Sequence, residues 1–282
     1  MKCLILAAGY ATRLYPLTEN FPKPLLEVAG KSILDWLIED LDATGLIEEY
    51  IVVTNHRFSS IFDEWAVGRS VATENRATLG NVRGRGPAEG WEGSNEVRRF
   101  QSDTTSNHTP IRIIDDGTST NETRLGAVRD LELGIKTCGI DDDLLVMAGD
   151  NLLTFSLAEF LDYFAAKKTS CIMRFYQPDL ERLHKSGVAE VDDSDRIVSM
   201  EEKPAQPKSH WCCPPFYIIR REDLPLVGEA IAAGCGTDAP GSFIAWLSSR
   251  TAVHAWKMPG ERYDIGNPES YEKVRRIFEK HI

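Results

Sequence analysis

Short apolar runs alternate with amphipathic stretches over most of the chain. "CLILAA" (3–8), "YIVVTN" (50–55), "IRIID" (111–115), "DLLVMAG" (143–149) and "TSCIMRFY" (169–176) read as buried strands. Between them, "SILDWLIEDLDATG" (32–45), "FSSIFDEWA" (58–66), "LGAVRDLELGI" (125–135) and "SLAEFLDYFAAK" (156–167) carry the helical period, the first closing on Gly45. Such alternation predicts an α/β protein with crossover units and a mostly parallel sheet covered by helices. After residue 186, "GVAEVDDSDRIVSMEEKP" reads as a hairpin turning at Asp193-Ser194-Asp195, which makes the later sheet mixed. The segment 68–109 lacks sustained periodicity and is expected to be a flexible insertion in one domain spanning 1–282, with a last helix at 268–281.

Composition narrows the function classes. With 42% hydrophobic and 27% charged residues, the 282-residue chain is of ordinary globular type. Its net charge of −11 argues against non-specific nucleic-acid binding. A phosphate site in such a protein must gather its own positive charge. Six cysteines without a CxxC pair point to reduced thiols and a cytoplasmic location. The apolar run of "MKCLILAA" is shorter than the roughly 7–15 residues of a signal-peptide core, and no run reaches the ~18 residues of a membrane span.

Several familiar motifs fail on inspection. "VAGKS" (28–32) ends like a P-loop, but Leu25 stands where its first glycine belongs. "GYATRL" (9–14) has Ala11 and Leu14 at the second and third glycine positions of a dinucleotide fingerprint. No G-x-S-x-G elbow is present.

The loop after the first apolar run is more telling. Gly9 lets the backbone approach a ligand, and successive N–H groups there can cradle an anion. Arg13 offers a planar fork of donors and Lys23 a compact charge. Pro16, Pro22 and Pro24 restrict the loop, so those charges are held with less ordering on binding.

The whole string "LAAGYATRLYPLTENFPKPLLEVAGKSIL" (6–34) resembles the signature of the sugar-1-phosphate nucleotidylyltransferases, the NDP-sugar pyrophosphorylases that include glucose-1-phosphate thymidylyltransferase and uridylyltransferase-like enzymes. That signature runs L-A-A/G-G-x-G-T-R-L-x-P-L-T, then P-K-P-L-L, then V-x-G-K-P. The resemblance continues in order through "GDN" (149–151), "GVAEVD" (187–192), "EEKP" (201–204) and "RYDIGNPESY" (262–271). It implies a Rossmann-like three-layer α/β/α nucleotide-diphospho-sugar transferase fold. The implied reaction joins an NTP, dTTP or UTP favoured, to a sugar 1-phosphate, giving NDP-sugar and pyrophosphate. Arg13 and Lys23 would be catalytic, and Ala8, Gly9, Arg13, Arg124 and Gly126 would bind the nucleotide. Gly187, Glu202 and Lys203 would bind the sugar phosphate, while Asp150 and Asp264 would hold Mg²⁺. The implied partners are the two substrates, with no nucleic acid or membrane; a homo-oligomer is compatible.

Departures mark where this chain has its own character. Ala11 replaces a family glycine and tolerates a strongly positive φ poorly. "CCPPFYII" (212–219) puts Pro214-Pro215 where the family usually has Thr-Gly or Thr-Ala, consistent with either a bulged strand or an altered sugar pocket. A cytidylyltransferase acting on phosphocholine or another non-sugar phosphate, and a non-catalytic NTP- or NDP-sugar-binding regulator, are the competing readings.

Overall fold

The computed structural model describes residues 1–69 and 109–279. In chain order the strands are β1 (Lys2–Leu6), β2 (Glu27–Val28), β3 (Lys31–Ser32), β4 (Glu49–Thr54), β5 (Ile111–Asp115), β6 (Leu144–Ala148) and β7 (Asn151–Leu153). They continue as β8 (Ser170–Tyr176), β9 (Gly187–Val191), β10 (Ile197–Glu202), β11 (Trp211–Cys213), β12 (Phe216–Ile219), β13 (Val253–Lys257) and β14 (Arg262–Asp264). The helices are α1 (Ile33–Asp42), α2 (59–69), α3 (Ala127–Cys138), α4 (Ala158–Lys167), α5 (Leu180–Leu183), α6 (Leu226–Ala232), α7 (Gly241–Ser248) and α8 (Pro268–Phe278).

Ten strands form one mixed sheet in the order β10-β9-β11-β8-β12-β6-β1-β4-β5, with β13 alongside β8. The β6-β1-β4-β5 half and the β8–β13 pair are parallel, while β12 and the β9–β10 hairpin bring in antiparallel neighbours. Period-two alternation sends Cys3, Ile5, Tyr50 and Val52 to one face and Leu4, Ile51 and Val53 to the other. α1, α2 and α4 cover the first face, and α3, α6 and α7 the second, giving the three layers. The expected segment 68–109 needs correction at its start, since residues 68 and 69 belong to α2; residues 70–108 lie outside the described residues.

The "CCPPFYII" stretch is one strand split in two. Trp211–Cys212 and Tyr217–Ile218 both pair antiparallel with β8, yet four residues from Cys213 to Phe216 lie opposite only Met173 and Arg174. On its other side the first half joins β9 and the second half joins β6. Two prolines cannot donate ladder hydrogen bonds, so the chain changes neighbours where its ladder is already broken.

The loop after β1 is closed from the far end of the chain. Tyr271 and Val274 of α8 share a buried cluster with Leu14, Leu26 and Val28, and the Tyr271 hydroxyl donates to the Glu27 carbonyl at 2.7 Å. α8 starts from a reciprocal cap between Asn267 and Ser270, with Pro268 in its first turn. Within the loop Ala11 does adopt the left-handed conformation, φ 46° and ψ 40°, and its carbonyl accepts from the buried Thr18 hydroxyl at 2.8 Å. The geometry a glycine would supply is thus kept by an alanine. Ala11→Gly should therefore raise stability by about 1 kcal/mol in denaturant unfolding, as the left-handed penalty on Cβ is relieved; an unchanged or lower midpoint would contradict that.

Candidate active site

β1 lies between β6 and β4 in the parallel part of the sheet, and the chain beyond it passes over the carboxyl ends of those strands, where α/β sheets bind ligands. Ala7 extends the strand by donating to the Val53 carbonyl at 2.8 Å, and buried Asn55 holds the Ala8 carbonyl at 3.0 Å. These contacts fix the backbone of Ala8 and Gly9 along a cavity of about 230 Å³. A Cβ built on Gly9 would meet no protein atom within 4 Å, so the backbone there borders open space. Gly126, at φ 91°, caps α3 on the opposite wall. A side chain there would strike the Thr237 carbonyl at 2.5 Å, because residues 237–238 accept hydrogen bonds from the first turn of α3.

A second cavity, of about 280 Å³, adjoins the first across Ala148, Pro215 and Pro240. Gly187, Glu202, Lys203, Asp150 and Asp264 line it. The missing side chain of Gly187 makes room for the Glu202 carboxylate, whose Oε2 would lie 2.9 Å from a Cβ there. Burial pushes the Glu202 carboxyl above the usual range, with Lys203 working against that shift. Lys203 holds φ 51°, a conformation uncommon outside glycine and frequent at functional sites, and its amide donates to the Ser186 carbonyl.

Lys23 lies behind two carboxylates of the second cavity's wall. It is only 8% exposed, and its ammonium lies 2.6 Å from Asp150 Oδ2 and 3.6 Å from Asp264 Oδ1. Asp150 follows β6, Asp264 ends β14, and the β7–β14 pairing sets Asp264 opposite Asn151. Asn151 donates to the other Asp150 oxygen at 2.8 Å and accepts from Arg262 Nη1. Both oxygens of Asp150 are therefore held. Arg13 lies on the 3-10 turn Thr12–Leu14, exposed and outside both cavity walls, and pairs with no described side chain.

Residues 2–281 match the profile of the family described as Nucleotidyl transferase. The chain belongs to the nucleotidyl transferase family. Over 268 residues it is 25% identical to the bifunctional protein GlmU of Methanocaldococcus jannaschii, covering 95% of this chain and 52% of that protein. The transferase chain thus spans about half the length of that relative. A UDP-glucose pyrophosphorylase complexed with UDP-glucose superposes at TM-score 0.75 with 19% identity, covering 100% of this chain and 99% of that one. A UTP-bound UGPase from Acinetobacter baumannii does so at 0.73 and 18%, covering 100% and 94%. These two likenesses establish the fold.

Within this transferase, three features escape motif reading. Asp238 takes two hydrogen bonds from Arg124, at 2.8 and 3.2 Å, and lies 3.4 Å from Lys203. Its carboxyl is held below the usual range first by the Arg124 hydrogen bonds. One acidic side chain thus ties the expected nucleotide-side arginine to the expected sugar-side lysine. Arg262, two residues before Asp264, lies 5.6 Å over Phe175 on the wall of the second cavity. Asp130, buried on the first turn of α3, lines the first cavity.

No group of three or more His, Cys, Asp or Glu among the described residues could hold a metal ion. The Asp150–Asp264 pair is instead balanced by Lys23. Lys23→Ala should lower stability by about 1–2 kcal/mol in metal-free buffer, discounted for the partial exposure of both carboxylates. Millimolar Mg²⁺ should return part of that loss in a thermal melt; no metal response in the variant would mean the pair does not attract a cation.

Proposed function

We propose that the chain transfers a nucleoside monophosphate from an NTP, UTP or dTTP favoured, to a sugar 1-phosphate, releasing pyrophosphate. The observation that carries this reading is the Lys23 ammonium held by Asp150 and Asp264, two carboxylates on the wall of the second cavity, which adjoins the first. The cavity walled by Ala8, Gly9 and Gly126 suits a nucleoside, and the cavity walled by Gly187, Glu202 and Lys203 suits a phosphorylated sugar. The structural neighbours that bind UDP-glucose and UTP support the uridine preference.

An oxygen of the acceptor phosphate attacks the α-phosphorus, a P–O bond forms there, and the bond to the β-phosphate oxygen breaks with that electron pair leaving on pyrophosphate. The attacking oxygen is already ionised, so no side-chain nucleophile is needed. The residues bring two polyanions together and offset the charge that builds on the phosphoryl oxygens. Lys23 can exchange its carboxylate partners for phosphate oxygens of both substrates. Arg13 reaches the leaving pyrophosphate from the loop, and Lys203 orients the acceptor phosphate. The Glu202 carboxylate, on the wall of the second cavity, is placed to accept from sugar hydroxyls.

The donor set fits Mg²⁺. Two carboxylates already gather around a positive charge, and this ion is commonly held by one or two carboxylates with phosphate oxygens and water completing its shell. When bound by Asp150 and Asp264 it supplies charge neutralisation at the phosphoryl oxygens.

Pyrophosphate release over UTP, dTTP, CTP, ATP and GTP, crossed with glucose 1-phosphate and phosphocholine, tests the reading. Turnover should need a sugar 1-phosphate and vanish with EDTA. Asp150→Asn should lower it by roughly 10²–10³, the size of losing a preorganised charged group. Lys203→Ala should raise the acceptor KM more than the NTP KM. Turnover confined to CTP with phosphocholine would favour the cytidylyltransferase, and nucleotide binding without turnover the regulator.

A further inference from the structure

Beside the second cavity lies a third, of about 410 Å³, larger than either of the first two. Its walls come from the end of β8 and the turn after it, from Arg182 of α5, and from the stretch 257–262 that leads from β13 into β14. Phe175 and Arg262 line the second cavity as well, so the two cavities share part of a wall. Tyr176, Pro178, Met258 and Pro259 make another part of the third cavity apolar. Tyr176 is exposed, with its ring stacked on His210 at 5.3 Å and set edge-on to Trp211.

The charges of this cavity are arranged unlike those of the first two. Lys23, Arg124 and Lys203 each have a carboxylate partner. Lys257 and Arg262 have none among the described residues: Lys257 meets only the Trp211 ring, at 5.9 Å, and Arg262 the Phe175 ring and the Asn151 amide oxygen. Arg182 lies 3.5 Å from Asp179, an exposed pair of little worth. Glu261 is the one carboxylate among the residues of this wall. In a chain of 43 acidic and 32 basic residues, three cations against one acid is a local accumulation. Gln177 lines the cavity among them and is only 8% exposed. Its Oε1 accepts from the Asp179 amide at 3.1 Å, which fixes the orientation of the side-chain amide. Its Nε2 makes no hydrogen bond among the described residues and is not one of the sealed atoms without a partner. A largely buried amide donor left open in this way is supplied with an acceptor by an anion in the cavity.

We propose that the third cavity binds an organic oxyanion, a phosphate or carboxylate group received by Lys257 and the Gln177 amide, with Arg182 and Arg262 flanking it. Ammonium and guanidinium donors make charge-assisted hydrogen bonds to such a group. A bare ion would fill a small part of the volume, whereas a carbon skeleton finds the apolar wall of Tyr176 and Met258. The oxyanion has two sources. Across the shared wall of Phe175 and Arg262 it is a second anionic group on the acceptor sugar, a source that rests on the transfer reading above. Otherwise it belongs to a separate small acid, and that source does not depend on the reading.

Calorimetric titration of the full chain in metal-free buffer tests this, with glucose 1-phosphate, glucose 1,6-bisphosphate and citrate as probes. Two variants locate the binding. Lys257→Gln removes the charge of an exposed side chain. Gln177→Glu keeps an acceptor for the Asp179 amide and turns the open donor into an anion. A thermal melt shows that each is folded. If the oxyanion is part of the acceptor, the wild-type chain should bind the bisphosphate about tenfold or more tighter than glucose 1-phosphate, the worth of one charge-assisted hydrogen bond. Both variants should lose that advantage and keep the wild-type affinity for glucose 1-phosphate. If the oxyanion belongs to a separate molecule, citrate should bind equally well with and without saturating glucose 1-phosphate, and about tenfold more weakly in both variants. Either result upholds the site and names its source. The proposal is overturned if the wild-type chain shows neither the bisphosphate advantage nor citrate binding, or if whichever it shows survives unchanged in both variants. If no NTP and sugar 1-phosphate pair turns over, the transfer reading falls while the citrate titration still decides the cavity.

Discussion

Two carboxylates brought to one place repel, and the fold holds Asp150 and Asp264 together through the ammonium of Lys23. Each member comes from a distant part of the chain: the front loop, the end of the central strand β6, and the last short strand β14. Holding them in register requires β7 and β14 to pair, α8 to pack over the loop carrying Leu14 and Leu26, and Asn151 to fix the second oxygen of Asp150. Much of the irregular structure outside the main sheet thus has one consequence, a concentrated and nearly balanced set of charges along the wall of the second cavity.

On the proposed reading, the same arrangement lets an acidic protein, at −11 overall, accommodate polyanions. Positive groups at the site are kept in reserve by acidic partners. Lys23 is shared by Asp150 and Asp264, while Arg124 and Lys203 are gathered by Asp238. Exchange of a carboxylate for a phosphate oxygen changes the partner of each cation without exposing an unpaired charge. Asp238 also links a residue of the first cavity, Arg124, to one of the second, Lys203.

Long elements were legible because periodicity needs length. The parallel strands β1, β4 and β6 and the helices α1, α3 and α4 follow the apolar pattern, with ends displaced by one to three residues where caps such as Ser32 start the helix. The two- and three-residue strands β2, β3, β7, β11 and β14 carry no period to read. Pro214-Pro215 announced a broken ladder, but the change of neighbour from β9 to β6 depends on strands far away in sequence. At the site, ordered motifs marked Gly9, Lys23, Asp150, Gly187, Glu202, Lys203 and Asp264, which the fold gathers around the two cavities. Asp238 had no motif around it, and Asp130 lies in a helical run whose spacing does not single it out. Only its depth and its missing partner distinguish it.

A crystal structure with UTP and Mn²⁺, recorded at the manganese absorption edge, tests the central claim most directly. The account predicts an anomalous peak between Asp150 and Asp264, phosphate oxygens within hydrogen-bond reach of Lys23, and the base against Gly126. A metal bound elsewhere, or triphosphate oxygens remote from Lys23 with the carboxylate pair undisturbed, would contradict it.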